Sequence, residues 1–450
     1  MPKPSLETVF KAIAAYNDSA YFVGGCLRQF LLKKPIHDYD FVCQGSASAL
    51  AKHLGHVFHV PFFILDEDRD IARVALTETD TLDFATLQGN TLLGDLALRD
   101  LTINAMAYPA GTALLDGSFN THDLIDPQGG LADLEKGIIR GIAEANFISD
   151  PLRLLRIFRF AAQHQFTIEQ ETLEWVKHHA HLLSLSAVER VLSEWVKILS
   201  APHNLNLLQQ MVSVDLLQHI IPLPKNELLF NIAAYARGQD QRNSTCVDYF
   251  MSTLTGEHNR DMLLKLYLLC FAHHFQKYFE NNTLSGRPSL SGSGRKFVST
   301  QKLKIPIVGA LSRVEWSFFE TLSESLFHFL PDTLKSKVDK SRFIRQARPE
   351  LIAVIWVCRA LYTPEDSGAT QACLRELKVI EELWEQADNP VAHPQSFLTG
   401  HEVAQLLNQK PGPQIGQVLN QLLDAQALSI VSDYDSAVAY VKSLSTNHTE

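Results

Sequence analysis

Residues 20–45 leave this chain little freedom. An apolar run, Tyr21-Phe22-Val23, leads straight into Gly24-Gly25. An apolar helical stretch with Arg28, Phe30, Leu31 and Leu32 follows, and Pro35 closes it before Asp38-Tyr39-Asp40-Phe41-Val42. That order reads strand, turn, helix, turn, strand. Residues i and i+2 of a strand point to one face, so Asp38 and Asp40 present two carboxylates side by side. Like charges held that close repel unless a cation sits between them.

The hard oxygen pair suits Mg²⁺, which usually shares its shell with substrate phosphates. The glycines meet the other need of such a site. They let backbone N–H groups approach a phosphate at a helix N-terminus, where the dipole favours an anion. Arg28 adds a fixed positive fork. A phosphate cradle beside a carboxylate pair reads as metal-assisted phosphoryl or nucleotidyl transfer. A lone Gly-Gly or Asp-x-Asp is common; the combination on a strand–helix–strand pattern is what carries the reading.

At 450 residues the chain has room for roughly two to four domains. Its 46 % hydrophobic and 20 % charged residues are those of an ordinary soluble protein. No apolar run approaches a membrane span, and the N-terminus lacks the form of a signal peptide. The six cysteines are scattered without a Cys-x-x-Cys pair, which argues against a zinc ribbon or disulfide framework and fits a reducing, cytoplasmic setting. The net charge of −10 means that any RNA site is a local basic groove.

Along the chain, Leu6 to Ala15 reads as a helix and Ser46 to Leu54 as another, capped by its serine. Val57 to Leu65, Ile71 to Leu76 and Thr81 to Ala85 read as strands, the first an edge strand because of Pro61. Asp83 is a candidate third carboxylate, with a plain strand-end Asp as the alternative. Arg99, Asp100 and Asn104 are polar groups inside an apolar run: Arg99 is placed to hold a triphosphate and Asp100 to accept a ribose hydroxyl, with a local salt bridge as the bland alternative. Asp126 to Gly130 reads as a turn and Leu131 to Ile138 as a short helix. Asp150 and Pro151 suit an N-cap and first helical residue. Arg153, Arg156 and Arg159 then recur every three residues along one face, without matching acids at i+4. An Asp and an Arg one turn apart offer an acceptor and a donor to the edge of a base. Beyond residue 165 only helices are expected, with Asn281 to Gly294, running into Arg295-Lys296, as the clearest flexible segment. His178-His179-Ala180-His181 and His273-His274 lack a second ligand cluster and read as exposed histidines, not a metal site.

These motifs together resemble the class II tRNA nucleotidyltransferase (CCA-adding enzyme) and bacterial poly(A) polymerase family. Gly24-Gly25-Cys26-Leu27-Arg28 with Asp38-Tyr39-Asp40 resembles its Gly-Gly-x-Val-Arg-Asp and Asp-x-Asp pair. Arg99-Asp100-Leu101-Thr102-Ile103-Asn104-Ala105 resembles its Arg-Arg-Asp-Phe-Thr-Ile-Asn-Ala. Ile125 to Leu131 resembles its Asp-Pro-Phe-Gly-Gly turn, and Ser149 to Arg153 its Glu-Asp-x-x-Arg base-reading motif, which Arg156 and Arg159 continue. The likeness is specific over roughly residues 20–200 and weaker beyond, where Leu398 to Ala427 resembles the C-terminal part of some members.

The resemblance implies an α+β fold: a polymerase-beta-like head over 1–140, a nucleotide-selecting helical neck over 141–200, a helical body over 201–295 and a tRNA-binding helical tail over 296–450. It implies that Asp38 and Asp40 hold Mg²⁺; that Gly24, Gly25, Arg28, Arg99, Asp100 and Asn104 serve phosphate and ribose; and that Asp150 and Arg153 choose CTP or ATP while Arg156 and Arg159 hold the nucleotide. The partners implied are tRNA, CTP and ATP, with no membrane and no DNA. There are departures: Gln29 stands where the family has Asp, Leu98 replaces the first Arg, and Ser149 replaces Glu. The path from Asp83 to Asp95 is short where full CCA-adding members carry a longer loop. That resembles members that add only the two cytidines. A full CCA-adding, A-adding or poly(A)-adding enzyme stays open, as do a non-catalytic RNA-binding protein and a transferase acting on a small molecule.

Overall fold

The computed structural model describes residues 4–17, 19–111, 113–202, 204–240, 265–272, 310–311, 313–328, 334, 336–347, 351–361 and 368–446. They form two compact units, Met1–Ile220 and Ile221–Glu450. Cys246, His273-His274 and the expected flexible segment with Arg295-Lys296 lie outside the described residues, as does the expected boundary at 295.

The first unit opens with α1 (Leu6–Tyr16), capped by Ser5, whose hydroxyl accepts from the Thr8 N–H. β1 (Ala20–Val23), α2 (Gly24–Leu31) and β2 (Asp38–Cys43) follow as the sequence pattern predicts. Next come α3 (Ala47–Phe58), β3 (Phe62–Asp66), β4 (Ile71–Ala75), β5 (Thr81–Thr86), α4 (Leu92–Ala97) and β6 (Ala107–Pro109). The strands make one mixed sheet in the order β3-β4-β5-β2-β1-β6. β2 and β5 are parallel, with Asp40 opposite Asp83, and the other pairs are antiparallel.

The expected strand over Val57 to Leu65 is corrected. Val57 and Phe58 end α3, His59 takes the left-handed turn that stops it, and β3 begins only at Phe62. The buried stripe Ala47, Leu50, Ala51, Leu54 has helical spacing, and its continuation overrides the apolar look of Val57-Phe58. β3 does lie at the sheet edge, just after Pro61.

Strand alternation sorts the two faces of the sheet. One face carries Phe22, Phe41 and Phe84, buried and in ring contact, with Phe10 of α1 packed edge-on against Phe22 and Phe41. Burial of rings this size supplies about 1.5–3 kcal/mol each. The opposite face carries Val23, Val42 and Ala107 of β6, packed with Leu96 of α4 and with Ala105. The carboxylates Asp38, Asp40 and Asp83 share that second face, where they border a cavity.

Beyond the sheet come α5 (Ala113–Asp116), α6 (Gly130–Lys136), β7 (Ile138–Ile139), α7 (Glu144–Ser149), α8 (Leu152–His164), β8 (Thr167–Ile168), α9 (Gln170–His179), α10 (Val188–Ser200) and α11 (Leu205–Ser213). The helices-only expectation past residue 165 is corrected by β8, which pairs in parallel with β7. Gly137 turns left-handed and ends α6, releasing Ile138 into that small sheet. α8 buries Leu154, Leu155, Ile157, Phe158 and Ala161 and packs on α10, which buries Leu192, Trp195 and Leu199.

In the second unit the described secondary structure is helical. It comprises Lys225–Asp240, residues 265–272, Arg313–His328, Lys337–Ala347, Leu351–Leu361, Gly368–Glu385, Gly400–Leu406, Pro413–Ala427 and Tyr434–Thr446. The last three helices close their own core around Leu398, Val403, Ile415, Leu422 and Val441. Thr399 and Glu402 start the first of them with a reciprocal capping box. Among the described residues no helix is long and apolar enough to cross a membrane.

Candidate active site

Gly24 and Gly25 follow β1 without a linker. Gly24 has φ +64°, a conformation that L side chains rarely adopt. Gly25 places its N–H 3.1 Å from Asp40 Oδ2, and a Cβ there would meet the same oxygen at 3.1 Å. Asp38 Oδ1 accepts from the Thr81 hydroxyl at 2.7 Å. Each of the two carboxylates keeps one oxygen without a hydrogen bond among the described residues. Burial, then the nearby charge of Asp83, raises the Asp40 pKa, against the lowering effect of the Gly25 N–H, Arg99 and Arg28. Asp83 forms a two-pronged pair with Arg73, both contacts at 2.7 Å. Among the described residues no three His, Cys, Asp or Glu side chains are grouped to hold a metal ion. The Asp38–Asp40 pair offers carboxylate oxygens of the kind that suit a cation completing its shell with water and phosphate oxygens.

Facing the pair is a wall of guanidinium groups. Arg28 of α2 is buried and donates to Asn104 Oδ1. Asn104 Nδ2 donates to Asp100 Oδ1 at 2.9 Å, and Arg156 Nε donates to Asp100 Oδ2 at 2.7 Å. Asp100 Oδ1 also takes the Leu101 N–H. Both Asp100 oxygens are thus engaged and the side chain is buried, which is the local salt-bridge arrangement. Its pKa is about 2: burial raises it, but Arg156 and the Asn104 hydrogen bond outweigh that. Burial is also the main reason that the Arg28 pKa falls to about 10. Arg99 likewise forms a local pair, with Asp95 at 2.9 and 3.0 Å, and donates to the Asn104 carbonyl.

The phenyl ring of Phe160 is the hub of this wall. Arg159, Arg28 and Arg156 place their guanidinium carbons 4.0, 4.7 and 5.4 Å from its centre. Arg153 Nη1 donates to the carbonyls of Leu98 and Asn146, joining the end of α4 to α7 and α8. Asp150 does not cap α8 with its side chain. It ends α7, and its Oδ2 lies 3.4 Å from Arg190 of α10, so the capping expectation is corrected.

All twelve residues singled out from the sequence line one cavity of about 790 Å³: Gly24, Gly25, Arg28, Asp38, Asp40, Arg99, Asp100, Asn104, Asp150, Arg153, Arg156 and Arg159. Sequence reasoning missed Phe160 and Arg190, which also line it, and the anchoring partners Arg73, Asp95 and Glu194. Asp95 was findable, four residues before Arg99 in the sequence. The others arrive from distant elements and leave no local signal. His179 pairs with Glu144 at 2.7 Å.

The mixed sheet, the glycine turn and the carboxylate pair below an arginine wall define a nucleotidyltransferase head. Comparison with known proteins agrees. Residues 20–140 match the family described as Poly A polymerase head domain, and residues 165–228 match that described as probable RNA and SrmB-binding site of polymerase A. Over these two stretches the chain is similar to poly(A) polymerases. It is 42 % identical over 203 residues to a CC-adding tRNA nucleotidyltransferase of Geobacter sulfurreducens, a match covering 45 % of each chain. It is 28 % identical over 447 residues to a CC-adding tRNA nucleotidyltransferase of Synechocystis, covering 96 % of this chain and 95 % of that one. The fold is also that of a Thermotoga maritima CCA-adding enzyme complexed with tRNA, with a TM-score of 0.66, 20 % identity, and 98 % and 97 % of the two chains covered.

Proposed function

We propose that this chain is a cytoplasmic, template-independent tRNA nucleotidyltransferase that adds cytidines of the CCA end to the tRNA 3′ terminus, with Mg²⁺ as its metal. The observation that carries the reading is the single cavity in which the Asp38–Asp40 pair faces the arginine wall. Asp38 and Asp40 hold the metal. When bound, it supplies activation of the RNA 3′-hydroxyl and neutralisation of phosphate charge. Gly25 N–H, Arg28 and Arg99 border the triphosphate position, where a glycine turn leaves room for phosphate oxygens. Asp100 and Asn104 act by holding Arg156 and Arg28, and Arg156 and Arg159 offer the remaining guanidinium N–H groups to the nucleotide. Asp150 and Arg153 read the base as acceptor and donor, an arrangement that suits cytosine or adenine and opposes uracil or guanine at the same edge.

Two observations favour cytidine addition. Only Leu87 to Thr91 separate β5 from α4, and three of those residues form a single 3₁₀ turn. The two relatives described above are both named CC-adding. Three tRNA transcripts, ending before the CCA, after C and after CC, test the proposal when incubated with labelled CTP or ATP and Mg²⁺. Addition that stops at CC is expected. A complete CCA end on the first transcript would assign full CCA addition, A added only to the CC-ending transcript an A-adding enzyme, and long A tails a poly(A) polymerase. No incorporation on any transcript would overturn the reading.

A further inference from the structure

Besides Asp95 and Asp100, a third buried acid, Glu194, pairs with an arginine of the wall. It stands on α10, only 5 % exposed, and faces Arg159 of α8. Arg159 Nη1 donates to Glu194 Oε1 at 3.2 Å, Arg159 Nε stands 3.1 Å from Oε2, and Lys197 Nζ lies 3.3 Å from Oε1. The three guanidiniums around Phe160 repel one another. Arg156 has Asp100 as its counter-charge and Arg28 is bonded to Asn104, which leaves Glu194 as the carboxylate paired with Arg159. Arginine cannot escape repulsion by losing its proton. With no carboxylate beside it, a side chain this crowded by cations lowers its energy by turning out to solvent. Arg159 Nη2 makes no hydrogen bond among the described residues, and Arg159 lines the cavity.

We infer that Glu194 is a positioning residue for nucleotide binding. It holds Arg159 against Phe160, so that the arginine keeps an open N–H edge towards the anionic part of a nucleoside triphosphate. The inference rests on the reading of the cavity as a triphosphate site. A carboxylate that only fastened α10 to α8 would have no effect on that ligand, which separates the two roles.

The test is equilibrium binding of CTP without tRNA, for the full chain, Glu194→Gln, Arg159→Ala and the double variant, with thermal melting and tRNA affinity measured alongside. Glu194→Gln is expected to weaken CTP binding about tenfold, the worth of one charge-assisted contact, and to leave tRNA affinity unchanged. The double variant is expected to bind no more weakly than Arg159→Ala alone, because both changes remove one interaction. A lowered melting temperature with wild-type CTP affinity would overturn the inference, as would effects that multiply in the double variant. Glu194→Asp keeps the charge but draws it back from Arg159, so it serves if Glu194→Gln does not fold: weaker CTP binding supports the inference and unchanged binding overturns it. Failure of the wild-type protein itself to bind CTP would instead remove the triphosphate reading on which the inference stands.

Discussion

Asp38 and Asp40 are neighbours because a strand makes them so, whereas Arg156 and Arg159 of α8 are held by Asp100, 56 residues away in sequence, and Glu194, 35 residues away. The first pair is left short of partners: one hydroxyl and one backbone N–H serve two carboxylates, and burial raises the Asp40 pKa. The second group is anchored by buried acids that leave part of each guanidinium turned to the cavity. The contrast follows from the chemistry proposed. A metal ion can supply the missing positive charge between carboxylates, so the protein need not. Arginines that must hold still for a passing triphosphate need fixed counter-ions of their own.

The sharpest attempt to break this contrast is at the aromatic layer beneath the carboxylates. Phe41 alternates with Asp40 on β2 and is buried against Phe10, Phe22 and Phe84. Phe41→Ala is expected to cost about 3–5 kcal/mol in urea unfolding, the usual cost of deleting a buried ring. A cost under about 1 kcal/mol would mean that the carboxylate wall does not depend on the packing below it.

On the arginine wall, Arg156→Ala strands the buried Asp100 carboxylate. Unfolding measurements are expected to show a loss of about 3 kcal/mol, because removing one partner of a buried pair leaves the other uncompensated. Near-neutral stability would show that Asn104 and the Leu101 N–H are enough for Asp100, and the contrast between the two walls would shrink.

Asp70 sharpens the comparison with the smallest effect. It is a carboxylate fully supplied with donors, from the backbone N–H groups of Ala47 and Ser48 and the Thr86 hydroxyl. Burial raises its pKa, but these hydrogen bonds outweigh it and the value falls from the usual 3.8 to about 2. A carboxyl depressed in the fold adds stability that is complete above its unfolded pKa and is lost as pH falls through the folded one. The stability gap between wild type and Asp70→Asn is therefore expected to be constant above about pH 4 and to shrink between there and about pH 2. Urea titrations across that range check it, and a gap that does not change with pH would contradict the assignment.

The same contrast explains what could be read from the sequence. The strand–glycine–helix–strand core and the Asp38–Asp40 pair rest on spacing within a few residues, and both stand as read. The twelve cavity residues were legible as motifs, and most of the α+β plan followed from local patterns. What could not be read was who holds whom. Asp100 reads as a ribose acceptor or a salt-bridge partner, and only the fold brings Arg156 beside it. Asp83 reads equally well as a third carboxylate of the site or as a plain strand-end Asp, and its partner Arg73 comes from the neighbouring strand. Asp150-Pro151 has the composition of a helix start, yet the Asp150 carboxylate is oriented towards Arg190 of another helix. Each of these is fixed by tertiary contacts with no local trace.

The most direct measurement pairs CTP binding with CTP transfer in the protein carrying Asp38→Ala and Asp40→Ala together, on a tRNA transcript that lacks the CCA. Transfer is expected to fall by about 10²–10³-fold or more, because the groups that organise charge in the transition state are gone. Binding of CTP on the intact arginine wall is expected to persist. Transfer at the wild-type rate in that variant would contradict the assignment of Asp38 and Asp40 as the metal-holding pair.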